Sequence, residues 1–222
     1  MEVPESEIFP VLRGKVAIIT GGSQGMGKAT VTAFLKAGAK VVIVDIKETE
    51  GLEVCKELHH LGETLFVKAD ISNDQDVQNL VAVTVQKFGR LDIAVNNAAL
   101  APDKNPLNDF DEVQWKRIMD VNLTGTALCC KYELQQMLKQ GGGGSIMNIA
   151  SINAFKPQPN MPAYTAAKHG IIGLTKHAAM EGGPHGIRVN CIAPGAIFVS
   201  SEYISKENQV RELIMPKRVK CL

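Results

Sequence analysis

Six short apolar runs, rich in β-branched residues, divide this chain at 15–20, 40–45, 64–69, 91–95, 145–149 and 187–193. Each is apolar on both alternating sets of positions, as a strand must be when both faces of its sheet are covered. The segments between them carry a helical period instead. Over 24–37, Met26, Ala29, Ala33 and Leu35 recur at helical intervals; over 73–88, Val77, Leu80, Val81, Thr84 and Val85 do so, with Ser72 as the expected N-cap. A longer helix is expected from about 110–111 to a four-glycine stop at 141–144. Another opens at Asn160-Met161-Pro162 and runs to about Glu181. Strand and helix in strict alternation require right-handed crossovers, so the expected fold is α/β: a doubly wound parallel sheet in three α/β/α layers. With 222 residues, no internal repeat and no linker, one domain over 1–222 is expected, with 1–12 as an N-terminal extension.

Charge and cysteine usage narrow the function classes. Lys+Arg number 24 against Asp+Glu 23, and the signs are scattered, so neither nucleic acid nor an anionic membrane is an expected partner. The five cysteines include no CxxC pair, and an odd count argues against a closed disulfide framework. Three or four of them are expected to be buried reduced thiols, which points to the cytoplasm. The opening Met1-Glu2-Val3-Pro4-Glu5 is acidic and broken by proline, unlike a secretory signal. No apolar run approaches the roughly 18 residues of a membrane span. His169, His177 and His185 stand eight apart and offer no adjacent ligand pair, so no metal site is expected.

The first run leads directly into Thr20-Gly21-Gly22-Ser23-Gln24-Gly25-Met26-Gly27, and a helix follows. Glycine suits this position because the chain must turn tightly and bring backbone N–H groups close to a pyrophosphate. The helix N-terminus adds partial positive charge toward the same anion. A glycine-rich turn is a weak signal alone; between the first strand and first helix it reads as the phosphate loop of a Rossmann sheet. The second run ends at Asp45, 24 residues after Gly21. A carboxylate there can accept hydrogen bonds from both adenosine ribose hydroxyls and would repel a 2′-phosphate, which favours NAD over NADP. Lys47 weighs the other way, and a merely solvated Asp45 is the plainer alternative.

Further motifs stand in a fixed order: Asn96-Asn97-Ala98-Ala99, then Asn122, Ser151, Tyr164 and Lys168, then Pro194-Gly195. With the loop at 20–27 they resemble the short-chain dehydrogenase/reductase family across roughly 13–197. The loop matches that family's TGxxxGxG, 96–99 resembles its NNAG with alanine last, and Tyr164 and Lys168 form its YxxxK. The resemblance implies an NAD(P)-dependent oxidoreductase moving a hydride between cofactor and a secondary alcohol or ketone. It implies a catalytic tetrad of Asn122, Ser151, Tyr164 and Lys168. It also implies cofactor contacts from Gly21, Ser23, Gln24, Gly25, Met26, Gly27, Asp45, Asp70, Ile71, Asn97, Tyr164, Lys168, Pro194, Gly195 and Ile197. Asp70 would contact the adenine amino group, Lys168 the nicotinamide ribose, and Asn122 would bend its helix and hold a water linking Lys168 to solvent. A buried structural amide is the other reading of Asn122.

The chemistry is coherent without the family. Protonating a developing alkoxide needs an acid, and tyrosine, with an ordinary pKa of about 10, needs help to release a proton near neutrality. Lys168, four residues on, shares a helix face with Tyr164, and its ammonium favours the phenolate. Ser151, at the C-terminal end of the fifth strand, can donate to the substrate oxygen. Residues 155–161 are expected to wall the substrate, and Trp115 to pack in the core.

After Gly195 the pattern departs. Where the family often has a threonine that contacts the cofactor, Val199 stands, with Ser200 next. The helix and seventh strand with which the family continues are not evident in 198–222. Two readings follow: an active NAD-dependent enzyme, or a C-terminally truncated homologue that binds NAD and turns over little. The sixth strand is then expected to be an open sheet edge. A homodimer through the helices at about 111–140 and 162–181 is expected ahead of a tetramer.

Overall fold

The computed structural model describes residues 10–197. Six strands form one sheet: β1 (Val16–Thr20), β2 (Lys40–Asp45), β3 (Thr64–Lys68), β4 (Ile93–Asn96), β5 (Gly144–Ile149) and β6 (Ile187–Ile192). Their order is β3-β2-β1-β4-β5-β6, and every pairing is parallel. The doubly wound expectation therefore holds, with the direction of winding reversing between β1 and β4. Strand bounds differ from the apolar runs by one or two residues; Leu91 and Asp92 lead into β4, and Asn96 joins it.

Helices cover both faces. On one, Ile19, Val41, Ile43, Val95 and Ile149 pack against Val31 and Leu35 of α1 (Gly25–Lys36) and Val54 and Leu58 of α2 (Glu48–Leu58). On the other, Ile18, Val42, Val44, Ala94 and Ile146 meet side chains of three helices: α3 (Asp74–Phe88), α5 (Thr126–Gln140) and α6 (Pro162–Gly182). This is why the strands are apolar at consecutive positions. Each such Val or Ile side chain, fully withdrawn from water, contributes roughly 1.5–3 kcal/mol.

Local signals set most of the ends. Asn73, not Ser72, caps α3: its side chain accepts from Gln75 N (2.9 Å) and Asp76 N (3.2 Å). Ser72 instead turns back to Asp70. Asp111 caps α4 (Glu112–Met119) in the same way, accepting from Val113 N at 2.8 Å. The expected long helix is present as α4, a π-helical segment at Asp120–Gly125, and α5 without a break. Of the glycine stop, Gly141 ends α5 at φ 70°, while Gly144 is already in β5, where a Cβ would collide with the Met137 sulfur. Among the described residues Cys129 and Cys130 are buried and Cys55 and Cys191 half-buried; Cys221 lies outside them. No helix among the described residues is long and apolar enough to cross a membrane.

β6 pairs only with β5 among the described residues, and Ile192 is 49% exposed. On the α1 side of β4–β6 lies a cavity of about 690 Å³ lined by Met26, Phe34, Val95, Met147, Ile192 and Pro194. The open edge expected from the sequence is thus present over 10–197. Val199, Ser200 and the tail at 198–222 lie outside the described residues, as does most of the N-terminal extension.

Candidate active site

Parallel strands all end at one rim of the sheet, and the sequence motifs gather there. Thr20 closes β1; its Oγ1 accepts from Asn97 N and Ala98 N, both at 3.0 Å, and donates to Val95 O at 3.4 Å. The Asn97 side chain donates to Thr20 O (2.9 Å) and Gly21 O (3.3 Å). The ends of β1 and β4 are therefore strapped together. Gly21, at φ 65°, has no room for a side chain, since a Cβ would stand 2.9 Å from Ala98 Cα. A Cβ on Gly27 would collide with Gly21 O. Close folding of the loop onto α1, and not only conformational freedom, requires glycine here.

The first turn of α1 contains no acidic residue, and its N-cap, Gln24, makes no side-chain capping bond. Its first N–H groups therefore take no capping side chain from Gln24. They face a cleft of about 330 Å³ that gathers Gly21, Gln24, Gly25, Met26, Gly27, Asp45, Asp70, Ile71 and Asn97. Asp45 closes one side, accepting from Ser23 N (3.2 Å), Ser23 Oγ and Lys47 N (3.1 Å). Ser23 is thus buried beneath Asp45 and does not line the cleft. The Lys47 ammonium donates to Gln24 Oε1 at 2.9 Å.

Asp70 is held on both oxygens. Oδ1 accepts from Ser72 N (2.9 Å) and Ser72 Oγ (2.6 Å), and Oδ2 from Arg117 at 3.2 Å. Burial alone would raise its pKa; the Ser72 hydrogen bonds and the Arg117 charge outweigh burial and hold it below the ordinary carboxylate range. Arg117 lines the cleft. Its position on a helix remote in sequence gave no sign of this role.

The four tetrad positions approach from three elements. Ser151 follows β5 and accepts from Asn153 N at 3.2 Å, leaving its hydroxyl hydrogen free to point elsewhere. Tyr164 and Lys168 rise from α6, with the Lys168 Nζ 5.5 Å from the Tyr164 ring centroid. Lys168 is 3% exposed and donates to Ile149 O at 2.6 Å. Burial pulls its pKa down to about 8. Burial likewise raises Tyr164, and a hydrogen bond with Ser151 partly offsets this. Asn122 sits in the π-helical segment, fully buried. Its amide accepts from Leu100 N (2.7 Å) and donates to Leu100 O (3.2 Å), while its backbone carbonyl accepts from Thr126 Oγ1 at 2.9 Å. The helix accommodates Asn122 by widening a turn, and the amide holds the chain that follows Ala98–Ala99.

Ser151, Tyr164, Lys168, Pro194, Gly195 and Ile197 lie outside the cleft that gathers the loop residues. Pro194 O accepts from Ile152 N at 2.8 Å, tying the segment after β6 to the segment after β5. Ile197 is half exposed. Asp103 belongs to the site and carried no recognisable signal: its carboxylate accepts from Ala163 N and Tyr164 N.

Comparison with known proteins identifies the family. The family model described as short chain dehydrogenase matches residues 15–209. The short chain dehydrogenase/reductase astE of Aspergillus oryzae is 51% identical over 188 residues, 84% of this chain and 72% of that protein. The crystal structure of levodione reductase superposes with a TM-score of 0.83 at 36% identity, covering 90% of this chain and 79% of that one. Carveol dehydrogenase from Mycobacterium avium, solved in complex with NAD, gives a TM-score of 0.80 at 32% identity over 83% of this chain and 71% of its own. With the sheet order, the strapped glycine loop and the matched length in agreement, the chain belongs to the short-chain dehydrogenase/reductase family of oxidoreductases.

Proposed function

We propose that this chain is an NAD-dependent dehydrogenase or reductase that interconverts a secondary alcohol and its ketone. The observation that carries the reading is the meeting of Ser151, Tyr164 and Lys168 at the rim where the glycine loop and Asp45 frame a cleft. A nicotinamide dinucleotide fits the residues present. The uncapped start of α1 would take its pyrophosphate and Asp45 its adenosine ribose; Asp70 and the Ile71 backbone would take its adenine. Bound there, NAD supplies the acceptor or donor of the hydride.

The chain's own residues do the rest. Ser151 donates a hydrogen bond to the substrate oxygen and holds it beside the Tyr164 hydroxyl. Tyr164 takes the alcohol proton in oxidation and returns it in reduction. Its pKa is raised by burial, so the phenolate requires positive charge nearby. Lys168 provides it, buried and close to the ring. Asn122 fixes Leu100, and residues 155–161 wall the substrate side. The names levodione reductase and carveol dehydrogenase support a ketone or alcohol substrate. Asp45, already oriented by Ser23, supports NAD over NADP, and Lys47 is drawn toward Gln24. Copies would pair through the helices at about 111–140 and 162–181, which present Leu138 and Met180 to solvent.

NADH and NADPH fluorescence titrations on this chain and on Asp45→Ala test the reading. Tight NADH binding that the substitution relaxes toward NADPH is expected, followed by turnover in an alcohol screen that Tyr164→Phe reduces by about 10²–10⁴-fold. Binding of neither cofactor would overturn it.

A further inference from the structure

We propose that Asp103 is a positioning residue of the active site, locking the Tyr164 helix to the strap that also holds the cofactor loop. The inference rests on the reading of Tyr164 just given.

The first turn of α6 lacks a local cap. Met161, at the N-cap position, makes no side-chain capping bond, its sulfur accepting instead from Asn153 Nδ2 at 3.3 Å, and Pro162 contributes no N–H. The next donors, Ala163 N and Tyr164 N, would be orphaned. Asp103 satisfies both, Oδ2 accepting from Ala163 N at 2.9 Å and Oδ1 from Tyr164 N at 3.1 Å. It does so from 60 and 61 residues upstream, in the segment joining β4 to α4. At 3% exposure, the carboxylate has left water, and these amides with the positive end of the α6 dipole are what compensate it.

A serine or aspartate at 161 would stabilise the helix equally well. It would not locate the helix. Asp103 ends a short strap whose other anchors are Asn97, bonded to Thr20 and Gly21, and Leu100, bonded to Asn122. One run of backbone therefore joins the glycine loop, the π-helical segment and the backbone of Tyr164 itself. Ser151 stands on a different element, so the Ser151–Tyr164 geometry depends on where α6 begins. A misplacement of about 1 Å at a reacting group can lower the rate about 10²-fold.

Position has a second consequence. The groups bearing on the Tyr164 hydroxyl are Lys168 on its own helix and the Ser151 hydroxyl from the end of β5, while Asp103 from the strap holds the Tyr164 backbone N–H. Burial raises the Tyr164 pKa and the Ser151 hydrogen bond lowers it, so a helix that starts elsewhere loses that bond and forms its phenolate at higher pH.

The test uses the full chain with Asp103→Asn and Asp103→Ala. It reads NADH affinity, the pH profile of kcat, and Tyr164 ionisation by tyrosinate absorbance, with Tyr164→Phe as the subtraction control. Expected for Asp103→Ala are a loss in kcat of about tenfold or more with NADH affinity unchanged within about twofold. In Asp103→Ala the ionisation of Tyr164 moves to higher pH, and in Asp103→Asn it moves less, in the same direction. Asp103→Asn retains more kcat, because its carbonyl still caps one amide. Unchanged kcat overturns the proposal. So does a parallel fall of kcat, NADH affinity and melting temperature with Tyr164 ionisation in place, since that describes a plain helix cap. If the unmodified chain turns over no alcohol, the oxidoreductase reading fails on that arm alone. The tyrosinate titration still decides Asp103: a shift in the variants supports it, and superimposable curves overturn it.

Discussion

Glu133 carries a charge problem that sets the pH dependence of stability. It lies on α5, is 1% exposed, and faces Asn96, whose amide donates to it at 3.0 Å. Beyond Asn96 lie Asn148 and Thr175, linked at 3.0 Å each, and Cys130, within 3.5 Å of Asn148. None of these is a cation. Burial drives the Glu133 pKa from 4.5 to about 7, and the Asn96 hydrogen bond recovers only part of the penalty. Between those values the folded protein keeps a proton that the unfolded chain releases, so stability falls as pH rises through the window and levels off above it. At about 1.4 kcal/mol per pH unit, the interval is worth roughly 3 kcal/mol, a large share of the ~5–15 kcal/mol that holds a domain folded. Glu133→Gln has no charge to bury and keeps an acceptor for Asn96. Urea denaturation followed by Trp115 fluorescence should show the two proteins nearly equal near pH 5. By pH 8 the variant should be ahead by about 3 kcal/mol. Asp70 and Asp92, whose pKa values are lowered, act at more acid pH and are common to both, so they cancel in the difference. Parallel stability curves from pH 5 to 8 would refute the argument.

Two further outcomes follow from the packing. Gly27→Ala should abolish NADH binding in a fluorescence titration while the far-ultraviolet dichroism stays native, because the new methyl displaces Gly21 O and opens the loop that α1 presents. The associated strain should lower stability by about 1–3 kcal/mol. Asn122→Leu removes both bonds to the Leu100 backbone. It should cost about 1–3 kcal/mol for each polar group left unpaired. Thermal melts read that loss, and hydrogen exchange should show the Leu100 amide opening early.

The fold was legible because its signals are local. A strand covered on both faces must be apolar at consecutive positions, and Val41, Val42, Ile43 and Val44 in β2 say so without reference to any other part of the chain. The glycine loop was legible for the same reason. Where a local signal has a competitor, sequence does not decide: Ser72 and Asn73 are both acceptable N-caps, and what separates them is Asp70, which takes the Ser72 hydroxyl. Trp115 met its expectation in part, packing beside the Ile118–Ala163–Ala167 cluster with its ring 5.1 Å from Phe110.

The candidate site is legible only where its residues form motifs. Ser151, Tyr164 and Lys168 stand in a recognisable spacing, but what holds them does not. Asp103 looks like a loop carboxylate until α6 is folded against it, Arg117 like a solvated helix charge until Asp70 is beside it, and Glu133 like an ordinary surface residue of α5. Each acts on a partner at least 37 residues away, through bonds that no period or spacing encodes. That division has a physical cause. Chemistry fixes the type of the reacting groups, and a shared helix fixes the spacing of two of the proposed ones, Tyr164 and Lys168, so they leave a pattern in sequence. Support requires only that some acceptor, donor or charge arrive at a given point in space, and many positions on neighbouring elements can deliver one. Moving the cap should therefore rescue only part of what removing it breaks. Restoring an acceptor locally at 161 in the Asp103→Ala background should recover melting temperature but not kcat, because it closes the helix end without tying α6 to the strap.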